Sequence, residues 1–330
     1  MCCVWYIPDV QRVQKKLLIR VMKRYLIIYS IGIMMLFSCN DKKSDISEKK
    51  DSPELGEIFI SVDESFRPVI EQQIKMYQQS YPKTKIHAQY KSESDCMRDF
   101  FFDTTNRMVI VGKGLERKES IFLRDSLGYL PGDQEIATDA VVLLLHRDNP
   151  DSMYTKASLR DALNVKSIRK KTFVFDGLNA TSTVRFIRDS ILLGKNYDSS
   201  IVRATRSSAE VMDYVSSHPE AIGVLGISWV GNPEDSEQQK KMQNLKLAYV
   251  QCEVCEGKPF VKPMQASMLT RRYPLLRPMH YLIKENYKGL GSGFTAFLKF
   301  ERGQLIFRRA YLSPVMDFEI RNVQINSQIP

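Results

Sequence analysis

The chain has 330 residues, of which 43% are apolar and 26% charged, and a formal charge of +10. That length and balance suit one large core or two modest ones and exclude a disordered tail or a fibrous repeat. The charge does not mark a nucleic-acid protein: residues 1–38 hold six Lys/Arg against one acid, Asp9, and the rest of the chain holds 42 basic and 37 acidic residues in scattered positions.

The first element in chain order is MKRYLIIYSIGIMMLFSCN. Lys23 and Arg24 form a positive start, Tyr25 to Phe37 an apolar core, and Leu36-Phe37-Ser38-Cys39 a cleavage site. This is the order of a signal peptide, with the true start at Met22 and residues 1–38 removed. The core is short of the about 20 apolar residues of a membrane span; an uncleaved anchor helix is the alternative. The Leu-x-Ser-Cys ending resembles the lipobox of bacterial lipoproteins, which implies a lipidated Cys39 and a membrane anchor. Residues 39–55, polar and charged after Cys39, are expected to be a flexible tether. Both readings place the folded part outside the cytoplasm, in the cell envelope.

From Glu57 strand and helix alternate. EIFISV is a short apolar strand, and Pro68 opens a helix with Val69, Ile70, Ile74, Tyr77 and Tyr81 on one face, stopped by Pro82. KIHAQY alternates with period two, a helix capped at Ser92 or Ser94 follows, and RMVIV is a third strand. This spacing predicts a parallel sheet flanked by helices. IATDAVVLLLHRDNP reads as a buried strand ending in a turn. A second set follows: helix SLRDAL, strand TFVF, a hydroxyl-rich loop, a helix bearing Val184, Ile187 and Ile191 with Gly194 as its stop, helix SAEVMDYVSS and strand AIGVLGISWV. NPEDSEQQKKMQ is a charged insertion, LKLAYV and YPLLRPMHYLI are strands, and GFTAFLKFERGQLIFRRAYL is one long amphipathic helix. The whole predicts an α/β fold.

Cys252 and Cys255, in CEVC, lack a second pair or spaced histidines for zinc, and sit in a turn rather than at a strand–helix junction. They are read as a local disulfide or inert thiols. No metal or cofactor site is expected.

Two junctions stand out. ISVDESFRP places Asp63, Glu64 and Ser65 where a strand meets a helix start, and FDGLNATSTVRF places Asp176, Asn179, Thr181, Ser182, Thr183 and Arg185 at another. Helix starts offer free N–H groups and partial positive charge, so the pair of junctions could cradle an oxyanion between them. As plain structure, Asp63 and Ser65 would be a turn and cap, Asp176 a turn former before Gly177, and Arg185 an exposed side chain.

Taken in order, ISVDESFRPVI, TDAVVLLLHRDNP, DGLNATSTVRF, EAIGVLGISW and YPLLRPMHYLI with FLKFERGQLIF resemble the substrate-binding lipoproteins of phosphate ABC importers, over about residues 56–315. The resemblance implies a type II periplasmic-binding-protein fold: two lobes, each a mixed, mainly parallel sheet flanked by helices, with the ligand in the cleft between them. It implies lobe 1 from residues 56–145 and 251–330 and lobe 2 from residues 146–250. It further implies a monomer that binds phosphate or a similar small anion through the nine residues named above, delivers it to an ABC permease or another envelope partner, and catalyses nothing. A carboxylate, Asp63 or Asp176, would accept the proton of hydrogen phosphate, which sulfate cannot offer. The chain departs from the family where glycines are replaced by Asn179 and Ala180, and where VGKGLERK stands in place of a Ser-Asp pair. The rival reading is a sensory or interaction lipoprotein with the same fold that feeds no permease. Enzyme motifs fail on spacing: GISWVG is one residue too long for a nucleophile elbow, and GKGLERK is not a phosphate-binding P-loop.

Overall fold

The structure, a computed structural model, describes residues 51–164, 171–177 and 181–316. The signal segment, Cys39 and Asn179 lie outside the described residues.

Three parallel strands, β1 (Leu55–Asp63), β2 (Lys83–Lys91) and β3 (Asn106–Val111), form the first part of the sheet, with β1 between the other two. The helix Arg67–Ser80 joins β1 to β2 and buries Val69, Ile70, Ile74 and Tyr77, the face its periodicity predicts. Ser92 caps the next helix, Glu93–Phe102, by accepting from the Asp95 N–H. A helix at Arg117–Leu127, absent from the expectations, follows the VGKGLERK loop; the paired side chains of Glu116 and Glu119 start it and Gly128, at φ +78°, ends it.

The 15-residue strand β4 (Gly132–His146) organises everything else. β5 (Met153–Tyr154), β6 (Phe173–Phe175), β7 (Val202–Ala204), β8 (Ile222–Gly226), β9 (Leu245–Leu247), β10 (Tyr249–Gln251), β11 (Phe260–Val261), β12 (Leu276–Ile283) and β13 (Ser313–Pro314) complete the set. The main sheet runs β2-β1-β3-β12-β4-β8-β6-β7, while β11-β10-β5 forms a small sheet of its own. Eight of the first nine residues of β4 pair with β12, with an irregularity at Ile136, and Val141 to Leu145 pair with β8. One continuous strand thus passes from one half of the sheet into the other. It is buried almost throughout its second half, which is why it reads as an unbroken apolar run. β6, β7 and β8 are parallel to one another and form the far half with the helices Ser182–Phe186 and Ser208–Ser217.

Three expectations are corrected. The long C-terminal helix is two, Leu290–Lys299 and Glu301–Arg309, separated at Phe300, whose ψ of 172° is extended. The chain folds back so sharply there that a Cβ on Gly303 would lie 2.3 Å from the Phe297 carbonyl oxygen; an amphipathic pattern continues across such a break and conceals it. LKLAYV is two strands serving different sheets, β9 against β4 and β10 against β5 and β11. The charged insertion contains the helix Ser236–Met242, started by Asp235, which accepts from the Glu237 and Gln238 amides. Cys252 and Cys255 form a local disulfide in the turn between β10 and β11. No helix among the described residues is long and apolar enough to cross a membrane.

Candidate ligand-binding site

Both acidic junctions fall at the carboxyl ends of parallel strands. Asp63 is the last residue of β1, and Asp176 directly follows β6. The two ends meet at the seam between the sheet halves, where open α/β sheets place their ligands.

On the β1 side, Asp63 Oδ1 accepts from the Ser65 N–H at 3.0 Å and from the Ser65 hydroxyl at 2.7 Å, starting the single 3-10 turn Glu64–Phe66. On the β6 side, Thr181 is the one residue of the hydroxyl cluster that caps a helix. It accepts from the Val184 N–H and donates its own hydroxyl to Asp176 Oδ1 at 2.9 Å. Its neighbours Ser182 and Thr183 are left to face the seam. There Ser65 Oγ lies 3.2 Å from Ser182 Oγ, 3.3 Å from Thr183 Oγ1 and 3.4 Å from Asp176 Oδ2, and the Ser182 N–H donates to Asp63 Oδ2 at 3.3 Å. The structure therefore brings Asp63, Ser65, Asp176, Thr181, Ser182 and Thr183 into one buried cluster.

Glu64 belongs to its margin. Its carboxylate crosses the seam to the first turn of the helix Ser208–Ser217, accepting from the Ser208 hydroxyl at 2.9 Å and the Ser208 N–H at 3.2 Å. Ser208 Oγ also lies 3.2 Å from Asp176 Oδ2. Arg185 does not join the cluster. Its guanidinium is held by Glu93, with Nη2 3.0 Å from Oε1, and donates to the Gly112 carbonyl at 3.0 Å. Lys113 is engaged by Glu119 at 3.2 Å, and the Trp229 indole donates to the Ser65 carbonyl at 3.1 Å.

The positive charge of the cluster comes from a residue that motif reading passed over. Arg277 on β12 is only 2% exposed, the bulkiest among the fully buried side chains. Its Nη1 donates to Ser182 Oγ at 2.7 Å and to Thr183 Oγ1 at 3.1 Å. Its Nε donates to Asp139 Oδ2 at 2.8 Å, and the Phe66 ring lies beneath the guanidinium at 4.8 Å. Nη2 stands 2.7 Å from Asp139 Oδ2 as part of the ion pair but makes no well-aligned hydrogen bond, so it retains donor capacity inside the cluster. Asp139 is the register partner of Arg277 on the neighbouring strand β4. A Cβ on Gly226 would come within 2.9 Å of Asp139 Oδ2 and 3.0 Å of Arg277 Nη2, so a glycine is what lets the pair approach β8.

Burial is the leading influence on the acids and pushes the carboxyls of Asp63, Asp139 and Asp176 above the usual range, against the pull of Arg277. Glu64 is pushed up to about 7, by burial first and by the Asp176 charge second. The arrangement is a buried cluster of hydroxyl groups and one fixed cation, ringed by carboxylates able to hold or accept protons.

Two sheet halves joined through a shared strand and facing each other over a buried polar seam define the class of two-lobed α/β binding-protein folds. Residues 47–301 match the model of the PBP superfamily domain, and the chain belongs to that family. A protein of Clostridium perfringens, assigned as a phosphate ABC transporter substrate-binding protein and solved with bound phosphate, is 18% identical with a TM-score of 0.62; the match covers 79% of this chain and 100% of that one. An ABC-type phosphate transport receptor of Vibrio cholerae is 17% identical with a TM-score of 0.56, over 78% of this chain and 99% of its own. At these identities the likeness is one of fold. No curated protein sequence matches the chain.

Proposed function

We propose that this protein captures a small oxyanion, inorganic phosphate first among them, in the seam between its lobes, as an extracytoplasmic lipoprotein held by Cys39 and serving an ABC importer. In this reading Cys39 is the anchor and the tether expected over residues 39–55 ends before Asp51, which is ion-paired to Arg107 while Leu55 already belongs to β1; residues 56–145 and 251–330 form one lobe and residues 146–250 the other, and the protein acts as a monomer without catalysis. The observation that carries the proposal is Arg277, a buried cation fixed by Asp139 with donors turned to the Ser182 and Thr183 hydroxyls. A buried guanidinium with donor capacity left over suits an anion with several acceptor oxygens. Ligand oxygens would take hydrogen bonds from Arg277, Ser65, Ser182 and Thr183, and a ligand O–H would donate to Asp63 or Asp176. Sulfate has no such proton and would bring its charge against those carboxylates.

The hydroxyls and carboxylates of the two halves bond directly to one another, so a ligand exchanges only when the seam opens. The same contacts favour a second reading, in which the cluster is a latch between the halves of a sensory or interaction lipoprotein. Calorimetric titration of the purified, ligand-free protein with phosphate and with sulfate, at pH values either side of the second phosphate pKa, separates the two. Phosphate binding without sulfate binding is the expected result; no heat from either anion contradicts the phosphate reading and favours the latch.

A further inference from the structure

Beside the anion cluster lies a cavity of about 550 Å³ that inorganic phosphate does not need. Its walls come from both halves: the helix Arg67–Ser80 on one side, and the helices Ser208–Ser217 and Ser236–Met242 with Trp229 on the other. Its lining residues are distinct from those of the cluster but adjoin them. Arg67 is two residues from Ser65, Ala209 follows Ser208, and Trp229 is tied to the Ser65 carbonyl at 3.1 Å. Glu64, bonded to Ser208, is close enough to Arg67 of the cavity wall for their charges to interact.

The lining is of mixed chemistry. Trp229, Pro68 and buried Met212 offer apolar surface, six of the twelve lining residues are charged, with Arg67 paired to Glu71, and the side chains of Gln72 and Lys75 make no hydrogen bond or ion pair among the described residues. Apolar surface beside uncommitted donors and acceptors suits a carbon chain bearing hydroxyl groups, whose C–H faces and O–H groups need both. The volume lies within the roughly 300–1,000 Å³ typical of organic ligand pockets.

We propose, resting on the oxyanion reading of the cluster, that the ligand is a phosphate monoester of a polyol or sugar: the phosphoryl group occupies the Arg277 cluster and the hydroxylated carbon chain fills this cavity.

The test is titration of the purified, ligand-free protein with inorganic phosphate, glycerol 3-phosphate and glucose 6-phosphate, read by calorimetry and by the fluorescence of Trp229, the sole tryptophan beyond the signal segment. At least one ester is expected to bind about tenfold or more tighter than inorganic phosphate. Ala209→Trp and, independently, Gln72→Trp fill the cavity from opposite walls; either is expected to weaken the ester about tenfold or more and to leave inorganic phosphate within about twofold. Phosphate binding as tight as or tighter than both esters, or a loss shared equally by ester and phosphate in the folded variants, overturns the inference and leaves the oxyanion reading standing. Binding of none of the three overturns both.

Discussion

The seam holds two arginine–carboxylate pairs built from opposite plans. Arg277 and Asp139 are register partners on adjacent strands, both contributed by the β4–β12 pairing. Arg185 and Glu93 come from helices on opposite sides of the seam. The first pair is complete before the halves meet, so the guanidinium is held in position with donors remaining for whatever enters. The second pair forms only when the halves meet, and its donors are consumed by Glu93 and the Gly112 carbonyl. An ion pair within one half prepares a site, whereas an ion pair across the halves closes it.

Breaking the first pair should have the largest effect. Arg277→Met leaves the buried Asp139 carboxylate uncompensated, and loss of about 3–5 kcal/mol of stability is expected by denaturant unfolding. Asp176→Asn keeps an acceptor for Thr181 but removes a charge, so phosphate affinity should fall about tenfold while sulfate gains, measured by competition between the two anions. Glu64→Gln should alter the pH response. A carboxyl raised from 4.5 to about 7 holds its proton more tightly in the folded, closed protein than in the unfolded chain. Its contribution is therefore greatest at low pH and is lost as pH rises from about 4.5 to 7, by at most about 1.4 kcal/mol per pH unit. Thermal melting across that window should show the wild type losing more stability with rising pH than Glu64→Gln. The cross-seam pair is also partly buried, Glu93 being 4% exposed: Arg185→Gln leaves Glu93 the Gly112 N–H as a partner and should cost about 1–3 kcal/mol of closure and widen the molecule slightly in solution scattering, with Arg277 still in place.

The comparison also separates what was legible in the chain from what was not. The hydroxyl-rich loop announced itself because Thr181, Ser182 and Thr183 exceed the single cap a helix start requires. Asp63 and Asp176 were legible because each ends an apolar strand run. Arg185 was equally visible, but its partner Glu93 lies 92 residues away, and only tertiary structure shows that its donors are taken. Arg277 hid inside LRPMHYLI as a strand residue. The signal was present: Arg277 shares the buried face of β12 with Met279 and Tyr281, and Asp139 is a lone acid in the apolar run of β4. A lone base and a lone acid on the inward faces of two apolar strands predict each other, since neither can be buried alone. The alternation of strands and helices, with caps at Ser92 and Thr181, was readable because those signals are local. The break at Phe300 and the split of LKLAYV were not, because the packing of Gly303 and the partners of β9 and β10 decide them.

The most direct measurement is a phosphate titration of wild type and Arg277→Met side by side, with circular dichroism showing both folded. Loss of the two Nη1 contacts and the Nη2 donor should weaken binding by about a hundredfold or more relative to a wild type that binds. A folded Arg277→Met protein that binds phosphate as tightly as wild type would contradict the account.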